Sequence, residues 1–230
     1  MAKPSDICPR PERLPPLPTH PHAPPIYPAS VWACESPQQA DDLLAGRESG
    51  YVYQRDGHPN AQMLSAKLCA LHAAERGAIT GSGMGALAAV LLARLEQGDH
   101  ALIGNRLYGR TLGLFTAEAK RLGIEATTVD TCDLKAVAAA IRPKTKLVLA
   151  ETIANPLLEV VDIAAVAHIA HQHNTPLLID NTFASPILCR PLELGADLVM
   201  AFLGARRTSS PGPATRRPGA RAITRTRRSV

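Results

Sequence analysis

Two short stretches carry residues whose types and spacing could do chemistry. In Leu177-Leu-Ile-Asp-Asn-Thr-Phe-Ala-Ser-Pro186 an apolar run ends on a carboxylate, Asp180, where a buried strand would emerge. A carboxylate so placed can keep a cationic ring nitrogen protonated, which is what a pyridine ring needs to act as an electron sink. The same residue could instead cap the turn that follows its strand. In Thr80-Gly-Ser-Gly-Met-Gly-Ala86 an apolar strand runs through glycines into a helix. Small residues let backbone N–H groups approach a ligand, and the positive end of the helix favours an anion such as phosphate. The stretch also matches the dinucleotide pattern Gly-x-Gly-x-x-Ala through Gly81, Gly83 and Ala86, with Asp99 downstream as a ribose partner. Asp99 precedes its strand instead of ending it, so the βαβ context that this pattern requires is incomplete.

Other reactive residue types favour plainer readings. His168 and His171 have helix-neighbour spacing, but His173 falls off their face, so solvent-facing helix positions are expected and no metal site. Ser82 has no paired base nearby to activate it as a nucleophile. The five cysteines (Cys8, Cys34, Cys69, Cys132, Cys189) are odd in number and widely spread, and no two form a CxxC pair. They read as reduced thiols of a cytoplasmic protein, with Cys189 packed on or near the core.

The elements that must position Asp180 and the glycine turn alternate along the chain. Short apolar strands are predicted at 78–80, 100–103, 125–129, 146–150, 176–180 and 197–200. Helices are predicted at 61–75, capped by Asn60 and stopped at Gly77, and at 84–96, 111–122, 134–141 and 163–173. This alternation implies βαβ units and an α/β fold, a mostly parallel sheet flanked by helices, in which ligands bind beyond the carboxyl ends of the strands. The uncharged apolar run at residues 77–93 contains four glycines and is too short for a membrane span.

The two ends differ from the middle. Residues 1–30 hold ten of the 20 prolines and are expected to form an extended arm. Residues 201–230 hold eight arginines and no acid, so the first 200 residues carry 17 basic against 20 acidic residues beneath a net charge of +5. A basic tail of this kind could bind nucleic acid, but no aromatic residue is interleaved with its arginines to stack on bases. Its Arg/Pro/Ser/Thr/Gly/Ala vocabulary is also what GC-rich coding sequence yields out of frame.

Taken together, the motifs YVYQRDGHPN, GSGMGA, RLYGRT, ETIANP, DNTFASP and GADLVM, in this order over residues 51–200, resemble the Cys/Met-metabolism family of pyridoxal-phosphate enzymes. This transsulfuration family contains cystathionine γ-synthase, cystathionine lyases and methionine γ-lyase. The resemblance implies the large domain of the aspartate-aminotransferase-like type I fold, pyridoxal 5'-phosphate as cofactor, and carbon–sulfur lyase or γ-replacement chemistry on cystathionine, methionine or an activated homoserine. It implies a homo-oligomer, dimer or tetramer, in which Tyr53 and Arg55 reach the cofactor phosphate of the neighbouring subunit. Gly83 and Met84 would bind phosphate through their backbone. Tyr108, the residue given a direct catalytic part, would stack on the ring, Asn155 would contact the ring hydroxyl, and Asp180 would pair with the ring nitrogen. Thr182 and Glu151 lie in matching motifs with supporting roles. His58-Pro59-Asn60 departs from the family's usual Asn-Pro-Thr.

A larger departure follows GADLVM. The family continues with Ser-x-Thr-Lys, whose lysine attaches covalently to the cofactor, whereas this chain reads Ala201-Phe-Leu-Gly-Ala205, and no lysine follows Lys146. Arginine cannot replace that amine, because its guanidinium stays protonated. The organisation expected is a Pro-rich arm at 1–50, an incomplete cofactor-binding α/β domain at 51–200, and a disordered, out-of-frame-like tail at 201–230 with the family's C-terminal domain missing. A catalytically inactive chain is expected, with a non-catalytic fragment or a basic-tailed nucleic-acid binder as the alternatives.

Overall fold

The structure, a computed structural model, describes residues 22–203 and 222–224. These fall in two compact units, Met1–Asn60 and Ala61–Val230. In the first unit a short antiparallel bridge joins Val31 to Tyr53, and the Trp32 ring lies between Tyr51, at 5.3 Å, and His58, at 5.6 Å. Helix α1 (Pro37–Leu44) starts on Ser36, whose hydroxyl accepts from the Gln39 amide. Asn60 does not cap a helix here. Its Oδ1 accepts from the Tyr27 amide and its Nδ2 donates to the Pro25 carbonyl, while helix α2 (Pro59–His72) already begins at Pro59. Proline at a helix start loses no bond, which explains the earlier beginning. Helix α2 also ends before Gly77, because Ala73 turns into the left-handed region at φ 53°.

In the second unit one sheet contains seven strands among the described residues: β1 (Ala78–Thr80), β2 (His100–Gly104), β3 (Glu125–Val129), β4 (Thr145–Glu151), β5 (Leu177–Asp180), β6 (Leu198–Phe202) and β7 (Ala222–Thr224). Their order is β1-β7-β6-β5-β4-β2-β3. Strands β3, β2, β4, β5 and β6 pair in parallel, and β7 is antiparallel to both β6 and β1. Strand β1 therefore points the same way as the parallel set, and the turn after it opens on the same edge of the sheet as the ends of β4, β5 and β6. Strand β7 lies within the stretch expected to be a basic tail; residues 204–221 and 225–230 lie outside the described residues.

Alternation of side chains with period two divides the core into two faces. Ala101, Ile103, Leu147, Leu149, Leu178, Leu198 and Met200 pack under α3 (Gly83–Arg94) and under the segment formed by α4 (Gly109–Gly113), a π-helical turn (Leu114–Glu118) and α5 (Ala119–Arg121). Their sheet neighbours Leu102, Val148, Ala150, Leu177 and Ile179 face α6 (Leu134–Ala140) and α7 (Ile163–Gln172) on the other side. A parallel sheet buried on both faces reads as continuous apolar runs, which is how these strands look in the sequence. A single turn, α8 (Ser185–Leu188), follows β5.

Helix starts on the sheet are fixed by side-chain caps. Ser82 Oγ accepts from the Gly85 amide, Asp133 from Lys135 and Ala136, and Asp162 from Ala165. At the opposite edge His100, buried at the start of β2, bonds Thr145 of β4 through Nδ1 at 2.8 Å and Thr127 of β3 through Nε2 at 2.9 Å. Burial, and then the Arg142 charge, push its pKa down, so the neutral ring ties three strands together. Leu149 has no exposed surface. Leu149→Ala should therefore cost about 2–5 kcal/mol of stability, against about 1 kcal/mol for loss of the α7 cap in Asp162→Ala, both measured by urea unfolding.

Candidate functional site

The carboxyl edge of the sheet opens into a cavity of about 360 Å³. Ser82, Gly83 and Met84 enter it from the turn between β1 and α3, Tyr108 and Thr111 from the segment after β2, and Glu151, Ile153 and Asn155 from the end of β4 and its loop. Asp180, Thr182 and Phe183 come from the end of β5, and Met200 and Phe202 from β6. Six of the residues singled out in the sequence (Gly83, Met84, Tyr108, Asn155, Asp180 and Thr182) thus line one cavity. Tyr53 and Arg55 belong to the first unit, where the guanidinium lies over the tyrosine ring at 5.1 Å from its centroid.

Asp180 ends β5 beside Glu151, its register partner at the end of β4. Thr182 bonds Asp180 Oδ1 twice, through its amide at 2.9 Å and its hydroxyl at 2.5 Å. The other oxygen, Oδ2, takes no hydrogen bond among the described residues. Burial pushes the Asp180 carboxyl pKa up, and the two Thr182 bonds only partly offset it. The strand tips are held together from below. Thr152 Oγ1 meets Asn181 Oδ1 at 2.7 Å, Asn181 Nδ2 donates to the Cys189 carbonyl, and the Asn181 amide donates to Met200.

Glu151 is the larger finding that sequence reasoning left at the margin. Its Oε1 accepts from the Tyr108 amide at 2.6 Å, and the Asn155 amide bonds it as well. One carboxyl group therefore fixes both the segment that presents Tyr108 and the loop that presents Asn155. The signal was available: an apolar strand ending on an acid occurs at Glu151 just as it does at Asp180. Arg106 adds an anchor from outside the cavity by pairing with Asp130 and Glu159. Tyr108 leaves half of its surface exposed, so its ring is free to cover a ligand. Beside it Thr111 Oγ1 is buried without a hydrogen-bond partner among the described residues.

The glycine turn is built for close approach. A Cβ added at Gly83 would lie 3.3 Å from Phe202 Cβ, tighter than ordinary contact. The amides of Gly83 and Met84 belong to the first turn of α3 and have no intrahelical acceptor, so they remain available to an anion. Among the described residues that line the cavity there is no lysine and no arginine. Ser82 serves as a helix cap, in line with its expected lack of an activating base. On the far face His171 pairs with Asp197 at 2.8 Å and His168 contacts Gln172.

The geometry suits a pyridinium ligand. A largely desolvated carboxylate whose second oxygen has no partner among the described residues, a second acid beside it and a half-exposed aromatic ring are complementary to a cationic ring, and two helix-terminal amides without an intrahelical acceptor belong to the same lining. Comparison with known proteins agrees. A model of the Cys/Met metabolism PLP-dependent enzyme family matches residues 12–203, and the chain belongs to this family. It is 44% identical over 179 residues to an L-methionine gamma-lyase of Porphyromonas gingivalis, covering 77% of this chain and 45% of that protein. It is 38% identical over 179 residues to an O-succinylhomoserine sulfhydrylase of Pseudomonas aeruginosa, covering 78% of this chain and 44% of that protein. The metY structure of Campylobacter jejuni, which carries a pyridoxyl-lysine phosphate, superposes with a TM-score of 0.79 at 28% identity over 89% of this chain and 50% of that one. The chain thus spans about half the length of the relatives it matches.

Glu151 gives the site a testable pH signature. Burial first, and the Asp180 charge as well, push its carboxyl from 4.5 up to about 7 against the pull of the Tyr108 and Asn155 amides. Its folded pKa is raised, so the folded state holds the proton more tightly, and stability should fall as pH rises from 4.5 to about 7 and then level off. Glu151→Gln should flatten that slope and exceed the native chain in stability at pH 8 by about 1–3 kcal/mol, a range discounted for partial solvent access. Urea unfolding at pH 5, 6, 7 and 8 measures both.

Proposed function

We propose that this cavity holds the ring of pyridoxal 5'-phosphate, and that the chain derives from an enzyme of carbon–sulfur chemistry on amino acids. The single observation that carries the reading is Asp180: a largely desolvated carboxylate at a strand tip, with one oxygen held by Thr182 and the other without a partner among the described residues. When bound, the cofactor supplies an electron sink for negative charge developing on an amino-acid substrate. Asp180 binds and charges the ring nitrogen, Thr182 orients that carboxylate, and Tyr108 covers the ring face. Asn155 contacts the ring hydroxyl, and the Gly83 and Met84 amides face the phosphate. Tyr53 and Arg55 serve a neighbouring protomer, whose phosphate a guanidinium fork suits, in a cytoplasmic homo-oligomer. Small amino acids carrying sulfur or an activated γ-substituent are the substrates that the family supports. No described helix is long and apolar enough to cross a membrane.

Steady turnover is not part of this reading. From the end of β6 onward the chain reads Ala201-Phe202-Leu203-Gly204-Ala205, the first two still within the strand, and the described lining holds no amine to attach the cofactor or to carry a proton between substrate carbons. The cofactor is then held by non-covalent contacts alone. Asp180→Asn should weaken binding of pyridoxal phosphate by about tenfold or more, since it removes a charge-assisted bond. Fluorescence titration of the full chain measures this, and an unchanged affinity would defeat the ring site. Sustained release of a thiol from methionine by the native chain would refute the inactive state.

A further inference from the structure

The residue after the last fully buried position of β6 has no part in the function above. Phe202 lines the cavity, and its Cβ, Cγ and Cδ2 lie within 3.3–3.6 Å of the point where a Cβ on Gly83 would stand. The phenyl ring is therefore packed against the turn whose amides are the anion donors of the site. Its place is fixed as well: the Phe202 amide donates to Thr182 Oγ1 at 3.0 Å, and that hydroxyl donates in turn to Asp180.

The other groups near the turn are largely spent. The Thr182 hydroxyl is engaged on both sides, Thr80 Oγ1 donates to the Ser82 carbonyl at 2.8 Å, and Ser82 Oγ already accepts from Gly85. With no cationic side chain in the described lining, a phosphate dianion here would meet from its own protomer two amides and the Ser82 hydroxyl, and would lose water to a phenyl ring that returns no hydrogen bond. The ring end of the cavity is the reverse: Asp180 and Glu151 place two acids where a cation is favoured.

We infer that Phe202 is a specificity-determining residue that disfavours the phosphate at the Gly83 turn, so that this chain selects its ligand by the cationic heterocycle and draws little from the phosphate. The inference rests on the ring site proposed above and extends it to the ligand's other end.

Pyridoxine and pyridoxine 5'-phosphate are suitable probes, because neither carries an aldehyde that would react with surface lysines. Isothermal titration of the full native chain should give affinities for the two within about threefold of each other. Phe202→Ser should tighten pyridoxine 5'-phosphate by about tenfold and leave pyridoxine within about threefold, as expected for one regained charge-assisted bond. Phe202→Leu, which keeps the apolar bulk, should behave as the native chain and guards against a serine variant that fails to fold; circular dichroism checks both. A native preference for the phosphorylated probe of tenfold or more, or equal gains for both probes in Phe202→Ser, would overturn the role of Phe202 alone. Failure of both probes to bind would remove the ring site and this inference with it.

Discussion

The desolvated carboxylate of Asp180 is the constraint around which the site is arranged. A charge at the tip of a strand buried on both faces is costly unless it is bonded, and the structure meets only half of that need. Thr182 satisfies one oxygen from two directions. Its register partner one strand away is another acid, Glu151, and the described lining supplies no cation. Burial raises the proton affinity of both carboxyl groups, the Asp180 charge raises that of Glu151 further, and together they favour a positively charged guest. The raised pKa values of both groups express first of all this loss of water, which a ligand carrying a protonated ring nitrogen would offset.

A parallel sheet makes such a convergence possible because it delivers every strand in the same direction. The ends of β4, β5 and β6 and the turn after β1 therefore open on one edge, and each loop needs only a few residues to reach the cavity. Much of the remaining construction keeps those tips in register. Asn181, fully buried, ties β5 to Thr152, Cys189 and Met200, while Glu151 holds the backbone of Tyr108 and Asn155. Membership in the Cys/Met metabolism family fits this layout. Within it, Phe202 is the residue that sets an apolar ring beside the anion-binding turn, so the two ends of the cavity differ in character: acidic at Asp180, poorly compensated for an anion at Gly83.

Much of the fold was legible in the residues. The apolar strands, the alternation with helices and the strand-ending Asp180 all follow from local patterning, since a strand buried on both faces must be continuously apolar and its first acid marks its exit. Errors fell where a distant partner competes with a local preference. Asn60 has the chemistry of a helix cap, but its amide is taken by the chain at Pro25 and Tyr27, and Pro59 starts the helix instead. The strand expected to stop at Met200 continues through Phe202, because β7 offers Ala201 and Phe202 a further ladder.

The order of motifs, the glycine turn and the absence of a lysine after Lys146 are properties of the chain that any reader of the sequence can state. Which side chains share a cavity is a different kind of fact. Glu151 and Asp180 are neighbours through strand pairing, Phe202 meets Gly83 across the sheet, and His100 binds threonines on two other strands. None of these contacts has a spacing to be recognised by, because each depends on strand order and register, which the packing of helices on both faces selects.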